Sequence, residues 1–292
     1  MAMAVPEFPT PTADVAAKAS AIALLVLDID GTLCGASNEI APPTLEAIAA
    51  VQDRGVQVAI ATGRMYRSAL RFQKTIGATL PLVAYQGALI HCPEADRTHL
   101  DLRIDRQVAL DLLDLYEQPQ WRDRLSVHAY DGDRLYVREL TPGSRRYAER
   151  TRVQPEVIGD LRPLLDREPS VTKLLALSPN PDEIAELWPQ VEAQFRDRPV
   201  YLTRSNAWFI EAAHPNAHKG HGVRYLAENV LGLTADQVMF VGDNFNDFEA
   251  ITYAGLGVAM GDAPDPVKAI AQWVAPDVEA CGVAHAIATL LL

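Results

Sequence analysis

Residues 21–32 read AIALLVLDIDGT, an apolar run that ends on two carboxylates, Asp28 and Asp30. The apolar part is uninterrupted and partly β-branched, which is typical of a strand buried on both faces of a parallel sheet. Residues two apart on an extended strand point to the same side, so Asp28 and Asp30 are expected to share one face. Gly31 then allows a sharp turn, which the Thr32 hydroxyl can fix. The stretch predicts a buried strand that delivers two carboxylates to a turn.

Alternating strands and helices occur on both sides of the middle of the chain. Short apolar runs alternate with segments of helical spacing before Leu89 and again after Lys219. Repetition of this kind predicts βαβ units with a parallel sheet, so the fold class is expected to be α/β with a Rossmann-like core. The predicted strands of this core are residues 21–27, 55–61, 80–85, 238–241 and 256–259, and its predicted helices are 43–55, 66–76, 221–231 and 248–253.

The middle of the chain has a different pattern. Residues 127–130 and 134–137 flank Asp131-Gly132-Asp133, which predicts an antiparallel hairpin with a tight turn. Residues 182–195 have helical spacing between two further predicted strands. The segment is therefore expected to be an inserted α+β domain. The expected division is a disordered leader of residues 1–20, an α/β core of residues 21–88 and 214–292, and an insertion of residues 89–213.

The composition excludes some classes of partner. The 292 residues include 38 acidic and 26 basic ones, for a formal net charge of −12, which argues against nucleic acid and anionic membranes. A phosphorylated small molecule stays possible, because a bound metal ion can reverse the local field. Three cysteines without CxxC spacing and a leader without signal-peptide features indicate a cytoplasmic protein. It is expected to be a monomer or a small homo-oligomer.

A second acidic segment, Gly242 to Asp247, follows the predicted strand at residues 238–241. The carboxyl ends of parallel strands are where ligands bind, and hard cations such as Mg²⁺ prefer carboxylate oxygens. On its own this segment is better explained as an Asp/Asn-rich helix cap. Together with Asp28 and Asp30, Asp243 indicates a magnesium site.

Two further segments suggest anion binding. Thr62-Gly63-Arg64 follows a predicted strand and opens a helix, where free N–H groups favour an anion. Taken alone, simple helix capping by Thr62 is an equally good explanation. Lys219 lies where the chain returns to the α/β pattern, and as a lone residue it would be taken for an exposed, solvated lysine.

These segments, in this order, resemble the four motifs of the haloacid-dehalogenase superfamily of phosphatases. The insertion between the second and third motifs is similar to a type C2 cap. More narrowly, the chain resembles the Cof-type (class IIB) phosphatases over about residues 21–292. Gln86 stands where that family usually has Asn before Gly-Ala, so a different polar contact is expected there. The segments that carry the resemblance are 61–64, 86–88, 208–211, 219–220 and 242–247.

The resemblance implies roles for the carboxylates. Asp28 matches the nucleophile and a metal ligand, and would form an aspartyl-phosphate. Asp30 matches the acid/base residue, whose backbone carbonyl also binds the metal. Asp243 matches the second metal carboxylate, and Asp247 the supporting acid behind the Mg²⁺ ion. Chemistry agrees, because neighbouring carboxylates repel each other unless a cation compensates them.

The resemblance also implies a set of phosphate-binding residues. Thr62, Lys219 and Asn246 match positions that hold the phosphate, with Gly63 as a backbone donor. Lys173 and Glu211 match family positions in or just after the cap, where a substrate contact and a structural ion pair are both open.

The expected activity is hydrolysis of a small phosphorylated metabolite. Sugar phosphates are the first expectation, followed by flavin mononucleotide and pyridoxal phosphate. Two alternatives on the same core are a phosphomutase and a dedicated sucrose-phosphate or phosphoglycerate-ester phosphatase. A third is a non-catalytic binding or regulatory module, since a fold does not guarantee a function.

Overall fold

The computed structural model describes residues 10–204 and 206–292. Over these residues the chain divides into two compact units. The first comprises the described part of Met1–Ala61 together with Phe72–Leu80 and Val223–Leu292, and the second comprises Thr62–Arg71 and Pro81–Gly222. The division predicted from the sequence, with an insertion of residues 89–213, is based on the positions of the motifs. It stays a prediction.

Over the described residues, strands and helices alternate along the first unit, whereas the second unit contains antiparallel strand pairs with helices between them. The strands are β1 (Leu24–Leu27), β2 (Gln57–Ile60), β3 (Leu82–Ala84), β4 (Leu89–Cys92), β5 (Arg97–Asp101), β6 (Ser126–Asp131), β7 (Arg134–Val137), β8 (Glu156–Val157), β9 (Lys173–Leu177), β10 (Tyr201–Thr203), β11 (Phe209–Ala213), β12 (Val238–Gly242), β13 (Leu256–Ala259) and β14 (Trp273–Val274). The helices are α1 (Ala13–Ala19), α2 (Pro42–Asp53), α3 (Tyr66–Thr75), α4 (Arg106–Tyr116), α5 (Pro142–Thr151), α6 (Arg162–Leu165), α7 (Pro181–Phe195), α8 (Lys219–Arg224, continued by a π-helical turn Tyr225–Leu231), α9 (Phe248–Tyr253), α10 (Asp265–Ile270) and α11 (Gly282–Leu290).

The first unit contains a parallel sheet with the strand order β14-β13-β12-β1-β2. Strand β1 lies between β2 and β12, and all four of its residues are buried. Its apolar run needs no alternation, because a central strand of a parallel sheet is covered on both faces. Leu27, the last residue of β1, pairs with Ile60 on one side and Val241 on the other. The predicted α/β class with a parallel-sheet core is confirmed.

The leader predicted for residues 1–20 needs a correction. Residues 1–9 lie outside the described part of the chain, but Ala13–Ala19 form helix α1. The Thr12 side chain caps this helix by accepting a hydrogen bond from the Val15 N–H. Alanine is the best helix former, and Val15 and Ala19 are buried, so tertiary packing stabilises a segment whose composition indicated disorder.

The second unit contains a sheet with the order β10-β11-β9-β6-β7-β8, in which every pair but the parallel β7–β8 is antiparallel. The predicted hairpin is present as β6 and β7, with Gly132 and Asp133 in the left-handed conformation that a tight hairpin turn requires. Helices α4 and α7 supply apolar side chains to the same core as the sheet residues Leu174 and Ile210. This additional antiparallel sheet confirms the predicted α+β cap type.

The predicted third strand pairs differently from expectation. Strand β3 forms an antiparallel sheet in the order β3-β4-β5, rather than a strand of the parallel sheet. The reason is the turn Tyr85–Gly87, whose three residues all have positive φ and send the chain straight back into β4. None of the helices in the described residues is long and apolar enough to cross a membrane.

Candidate active site

The site in the first unit begins where β1 ends. The backbone N–H of Asp28 donates a hydrogen bond of 3.1 Å to the Val241 carbonyl, and Asp28 is only 4% exposed. Because β1 and β12 are parallel neighbours, their carboxyl ends lie at the same edge of the sheet. Asp28 is thereby held next to Gly242 and Asp243, which follow the equivalent point of β12.

A tight turn follows Asp28. The Leu33 and Cys34 N–H groups donate back to the carbonyls of Asp28 and Ile29, at 3.3 and 3.0 Å. Gly31 adopts φ +84°, and a Cβ at this position would lie 2.3 Å from Oδ2 of Asp243. A glycine is thus required twice, for its left-handed backbone and for its missing side chain. The sequence indicated the first requirement but held no sign of the second.

Thr32 has a different partner from the one expected. Its hydroxyl donates a hydrogen bond of 3.0 Å to Oδ1 of Asp243, rather than fixing the local turn. Thr32 is buried, with 2% of its surface exposed. It orients the Asp243 carboxylate, so the first acidic segment positions the second one.

The loop after β12 is organised by Asp247. Oδ2 of Asp247 accepts hydrogen bonds from the N–H groups of Asp243 at 2.9 Å and Asn244 at 3.1 Å. Asn244 caps the turn that follows, since its Oδ1 accepts from the Phe245 N–H at 2.8 Å. The helix-cap explanation is therefore right for this segment, and it coexists with the acidic cluster. Gly242 completes the loop, because a Cβ there would lie 2.5 Å from Cγ of Asp247.

Three carboxylates converge at this edge of the sheet. One oxygen from each of Asp28, Asp243 and Asp247 lies within 4.8 Å of the other two. Asp28 and Asp247 are buried and Asp243 is partly exposed, so solvent reaches the cluster at Asp243. Burial raises the pKa of the neighbouring Glu249 carboxyl, with a smaller contribution from Asp247. This donor set of clustered carboxylate oxygens fits a hard divalent cation.

Asp30 and Asn246 belong to the same unit. Asp30 lies in the turn after Asp28 and is partly exposed, while its backbone pairs with Cys34. Asn246 is buried in the single turn Phe245–Asp247, between the acidic residues of that loop. The structure therefore brings these predicted residues into the same two loops as the three clustered carboxylates.

Thr62 and Gly63 lie in the second unit, on a segment held by backbone hydrogen bonds. The Thr62 N–H donates to the Val83 carbonyl and the Thr62 carbonyl accepts from the Gln86 N–H, both at 2.9 Å. The Thr62 hydroxyl accepts a bond of 3.2 Å from the Arg64 N–H. Because α3 begins only at Tyr66, this bond fixes a turn in the preceding loop, and the helix capping expected of Thr62 is not what the structure shows. A Cβ on Gly63 would lie 2.5 Å from Nε2 of Gln86, so a side chain there would have to displace the buried Gln86 amide.

Lys219 is the first residue of α8 and has no exposed surface. The interpretation of Lys219 as an exposed, solvated lysine is therefore wrong. The start of α8 packs against the turn after β3, where a Cβ on Gly87 would lie 2.8 Å from the His218 carbonyl oxygen. A Cβ on Gly222 would come within 2.9 Å of the Gly87 Cα. These two glycines allow the backbone of the turn after β3 to lie close to the start of α8, where Lys219 is.

Of the two roles considered for Lys173 and Glu211, a structural ion pair is present in the second unit. Their Nζ and Oε2 atoms are 2.6 Å apart, and both side chains are almost completely buried. Burial on its own lowers the pKa of Lys173, but the charge of Glu211, a smaller contribution from Tyr147 and the hydrogen bond to Glu211 together outweigh it, so the pKa is raised. The Lys173 ammonium also lies 4.9 Å from the centre of the Tyr130 ring.

The comparisons with known proteins agree with this geometry. A family model of haloacid dehalogenase-like hydrolases matches residues 25–287. The chain is 29% identical over 270 residues to 5-amino-6-(5-phospho-D-ribitylamino)uracil phosphatase YitU of Bacillus subtilis, covering 90% of this chain and 95% of the relative. It is 27% identical over 250 residues to the HMP-PP phosphatase of Escherichia coli, covering 84% and 86% of the two chains. The crystal structure of TM0651 from Thermotoga maritima superposes with a TM-score of 0.78 at 28% identity, covering 93% and 98%.

The chain belongs to the haloacid dehalogenase-like hydrolases, as a phosphatase of the Cof type. The predicted family and the predicted enzymatic activity are both confirmed.

Proposed function

We propose that this protein is a magnesium-dependent phosphomonoester hydrolase that works through an aspartyl-phosphate on Asp28. The observation that carries the proposal is the cluster of Asp28, Asp243 and Asp247, whose oxygens lie within 4.8 Å of one another beside a strand end. A buried carboxylate in such a cluster is a suitable nucleophile only when a cation offsets the mutual repulsion.

The residues present fit a magnesium ion. Asp28 and Asp243, with the Asp30 backbone carbonyl, are proposed as its ligands, and Asp247 supports them through its bonds to the loop backbone. When bound, Mg²⁺ would neutralise charge on the phosphate oxygens and allow the anionic substrate to approach the carboxylates. Thr32 fixes the orientation of Asp243 before the ion arrives.

The proposed reaction has two steps. A carboxylate oxygen of Asp28 attacks phosphorus, the bond from phosphorus to the leaving oxygen breaks, and Asp30 gives its proton to that oxygen. Asp30 then accepts a proton from a water molecule that attacks phosphorus, and the bond to Asp28 breaks to release phosphate. The partial exposure of Asp30, beside the buried Asp28, suits a group that exchanges protons with water.

The proposed phosphate-binding residues are Thr62, Gly63, Lys219 and Asn246. The Thr62 hydroxyl accepts the Arg64 N–H and so keeps its own hydrogen for an acceptor such as a phosphate oxygen. Lys219 is a buried cation, and charge stabilisation at the transferring phosphoryl group is the main source of catalysis in such reactions. These four roles rest on the motifs and on the chemistry of each group.

The proposed substrate is a small phosphorylated metabolite, a sugar phosphate in the first place. The name of the Bacillus subtilis relative describes a phosphate on a ribitylamino group, and that of the Escherichia coli relative a phosphorylated HMP compound. Flavin mononucleotide and pyridoxal phosphate are the next candidates. We propose that the inserted segment, residues 89–213, selects among them as a cap domain.

Substitution of Asp28 tests the mechanism. The Asp28→Asn variant is expected to release no phosphate from an aryl phosphate or from a panel of phosphorylated metabolites in the presence of Mg²⁺. The matched control is Asp53→Asn, an exposed aspartate in the same unit, which should keep wild-type activity. Full activity in Asp28→Asn would refute the nucleophile. Conversion of a sugar phosphate into its isomer without release of phosphate would support the phosphomutase alternative instead.

Asp30→Asn tests the division of labour between the two carboxylates. An aryl phosphate with a good leaving group needs no proton from the enzyme, so Asp28 should still be phosphorylated in this variant. Hydrolysis of the aspartyl-phosphate should be slow, and the phosphorylated chain should accumulate in intact-protein mass spectra. If Asp30→Asn turns over like the wild type without accumulation, Asp30 is not the acid/base residue.

A further inference from the structure

The buried pair of Lys173 and Glu211 is the strongest unexplained feature of the second unit. Lys173 lies on β9 and Glu211 on the neighbouring antiparallel strand β11, where Glu211 pairs with Leu175 and Lys173 with Ala213. The two charged side chains are therefore diagonal neighbours on one face of the sheet. Their side chains are 3% and 5% exposed, which is rare for a lysine and a glutamate unless they are paired.

Stability alone gives little reason to keep such a pair. Removing two charges from water costs as much as their attraction returns, so a buried ion pair is often no more stabilising than well-packed apolar residues. What a buried pair supplies is a fixed position for each charged group. The useful question is therefore what else Lys173 holds.

Lys173 also contacts the segment that carries Thr62. Its Nζ donates a hydrogen bond of 3.1 Å to the carbonyl oxygen of Gly63. The N–H of the same peptide group belongs to Arg64, and it donates to the Thr62 hydroxyl at 3.2 Å. Both polar ends of one peptide group are thus held, one by Lys173 and the other by Thr62.

This peptide group sets what the Thr62 hydroxyl can do. A hydroxyl that accepts an N–H retains a single O–H to donate, and phosphate oxygens only accept. If the Gly63–Arg64 peptide group rotated, Thr62 would lose its backbone donor and its hydroxyl could turn to another partner. Gly63 does not itself restrain this rotation, because glycine has the widest backbone freedom of any residue.

We propose that Lys173, paired with Glu211, is a positioning residue that fixes the Gly63–Arg64 peptide group so that Thr62 presents its hydroxyl to the phosphate. The inference rests on the proposed function, in which Thr62 binds phosphate. Glu211 keeps Lys173 charged in a buried setting, and the ammonium has three donors, enough to bind Glu211 and Gly63 together.

The first experiment removes the pair without leaving a single buried charge. In the double variant Lys173→Met/Glu211→Met, thermal stability should stay close to that of the wild type, since the substitutes are apolar and of similar size. Its kcat/KM should fall about tenfold or more, as expected when a binding group loses its alignment. Competitive inhibition by inorganic phosphate should weaken in parallel.

The matched control is Arg198→Met/Asp111→Met. It removes another ion pair of the second unit, with Nη1 and Oδ2 2.8 Å apart, and should leave kinetics and phosphate inhibition unchanged. If the Lys173/Glu211 double variant fails to fold, Lys173→Met/Glu211→Gln is the second variant, because it also removes both charges and the donor to Gly63 and keeps the shape of the Glu211 side chain. Wild-type phosphate inhibition in a folded variant that lacks Lys173 would overturn the proposal.

A double-mutant cycle with Thr62→Val gives a readout that a merely structural role would not move. If Lys173 acts through Thr62, adding Lys173→Met/Glu211→Met to Thr62→Val should cause no further loss. Losses that multiply would show that the pair acts elsewhere and would overturn the inference. A wild-type enzyme that releases no phosphate would refute the proposed function. Even then, calorimetric titration with inorganic phosphate would compare the phosphate affinity of the variants and so test the role of Lys173 separately.

Discussion

The Thr32 hydroxyl donates a hydrogen bond of 3.0 Å to Oδ1 of Asp243, although the two residues are 211 positions apart in the chain. The bond joins the turn after β1 to the loop after β12, which are neighbouring parallel strands. It holds one proposed metal ligand in place from the segment that carries the proposed nucleophile. The two acidic segments therefore form one pre-organised group.

Thr32→Val is expected to weaken magnesium binding, because the substitution removes the donor to Asp243 and keeps the side-chain shape. Loss of such an outer partner typically costs roughly 10- to 100-fold in metal affinity. The measurement is phosphatase activity as a function of Mg²⁺ concentration. Thr252→Val is the control, since the Thr252 hydroxyl donates to the Phe248 carbonyl within its own exposed helical turn. Equal Mg²⁺ dependence of the two variants would contradict the prediction.

Gly31→Ala is expected to abolish activity and to destabilise the fold more than Gly55→Ala. Both glycines have nearly the same φ, +84° and +87°, so both variants carry the penalty of about 1–2 kcal/mol for a left-handed backbone. At position 31 the new Cβ also meets a carboxylate, 2.3 Å from Oδ2 of Asp243. Urea unfolding and initial rates measure the two effects.

A Cβ on Gly55 would meet no atom of the described residues within 4 Å, so Gly55→Ala isolates the backbone term. The difference between the two variants reports the displacement of Asp243. An active Gly31→Ala enzyme, destabilised no more than Gly55→Ala, would show that the Asp243 carboxylate moves aside at no cost.

Magnesium is expected to stabilise the folded protein. A ligand that binds only the native state at 100 times its dissociation constant adds about 2.7 kcal/mol, which a thermal melt detects as a higher Tm. A chelator should return the Tm to its starting value. The shift should be absent in Asp243→Asn and intact in Asp236→Asn, an exposed aspartate of the same unit. A full Mg²⁺ shift in Asp243→Asn would exclude Asp243 as a ligand.

His128 is expected to make the stability of the protein fall in mild acid. Burial, with a smaller contribution from Lys173, lowers the pKa of His128 from 6.5 to about 3. Well above pH 6.5 the imidazole is neutral in the folded and unfolded states alike and contributes no pH dependence. Below that pH the unfolded chain binds a proton that the folded protein does not, so the free energy of unfolding decreases.

The decrease due to His128 should approach about 1.4 kcal/mol per pH unit between about pH 6 and pH 4. His128→Gln removes this titration and can keep a hydrogen bond to Ser144, which His128 contacts through Nε2 at 2.9 Å. Urea unfolding at several pH values should therefore give a shallower slope for the variant. Parallel slopes would mean that His128 is protonated in the folded state.

Local sequence predicted the elements of both units well. The apolar strand before Asp28, the hairpin of β6 and β7 and the helix that ends at Phe195 are all set by nearest-neighbour patterns. The pairing of β3 could not be foreseen in this way. It depends on three successive residues with positive φ, two of which, Tyr85 and Gln86, are not glycine. Such a turn is stabilised by its tertiary setting, including the 2.8 Å bond from the Tyr85 hydroxyl to Asp133.

The sequence by itself determined which chemical groups are available and where each strand delivers them. One short run of neighbouring residues shows this: an apolar strand is followed by Asp28 and Asp30 and then by a glycine. Only the tertiary structure decided the partners of those groups: Thr32 with Asp243, Asp247 with the loop backbone, and Lys173 with Glu211 and Gly63. These contacts join residues from separate strands and loops, and their geometry depends on strand order and register, which local preferences do not encode.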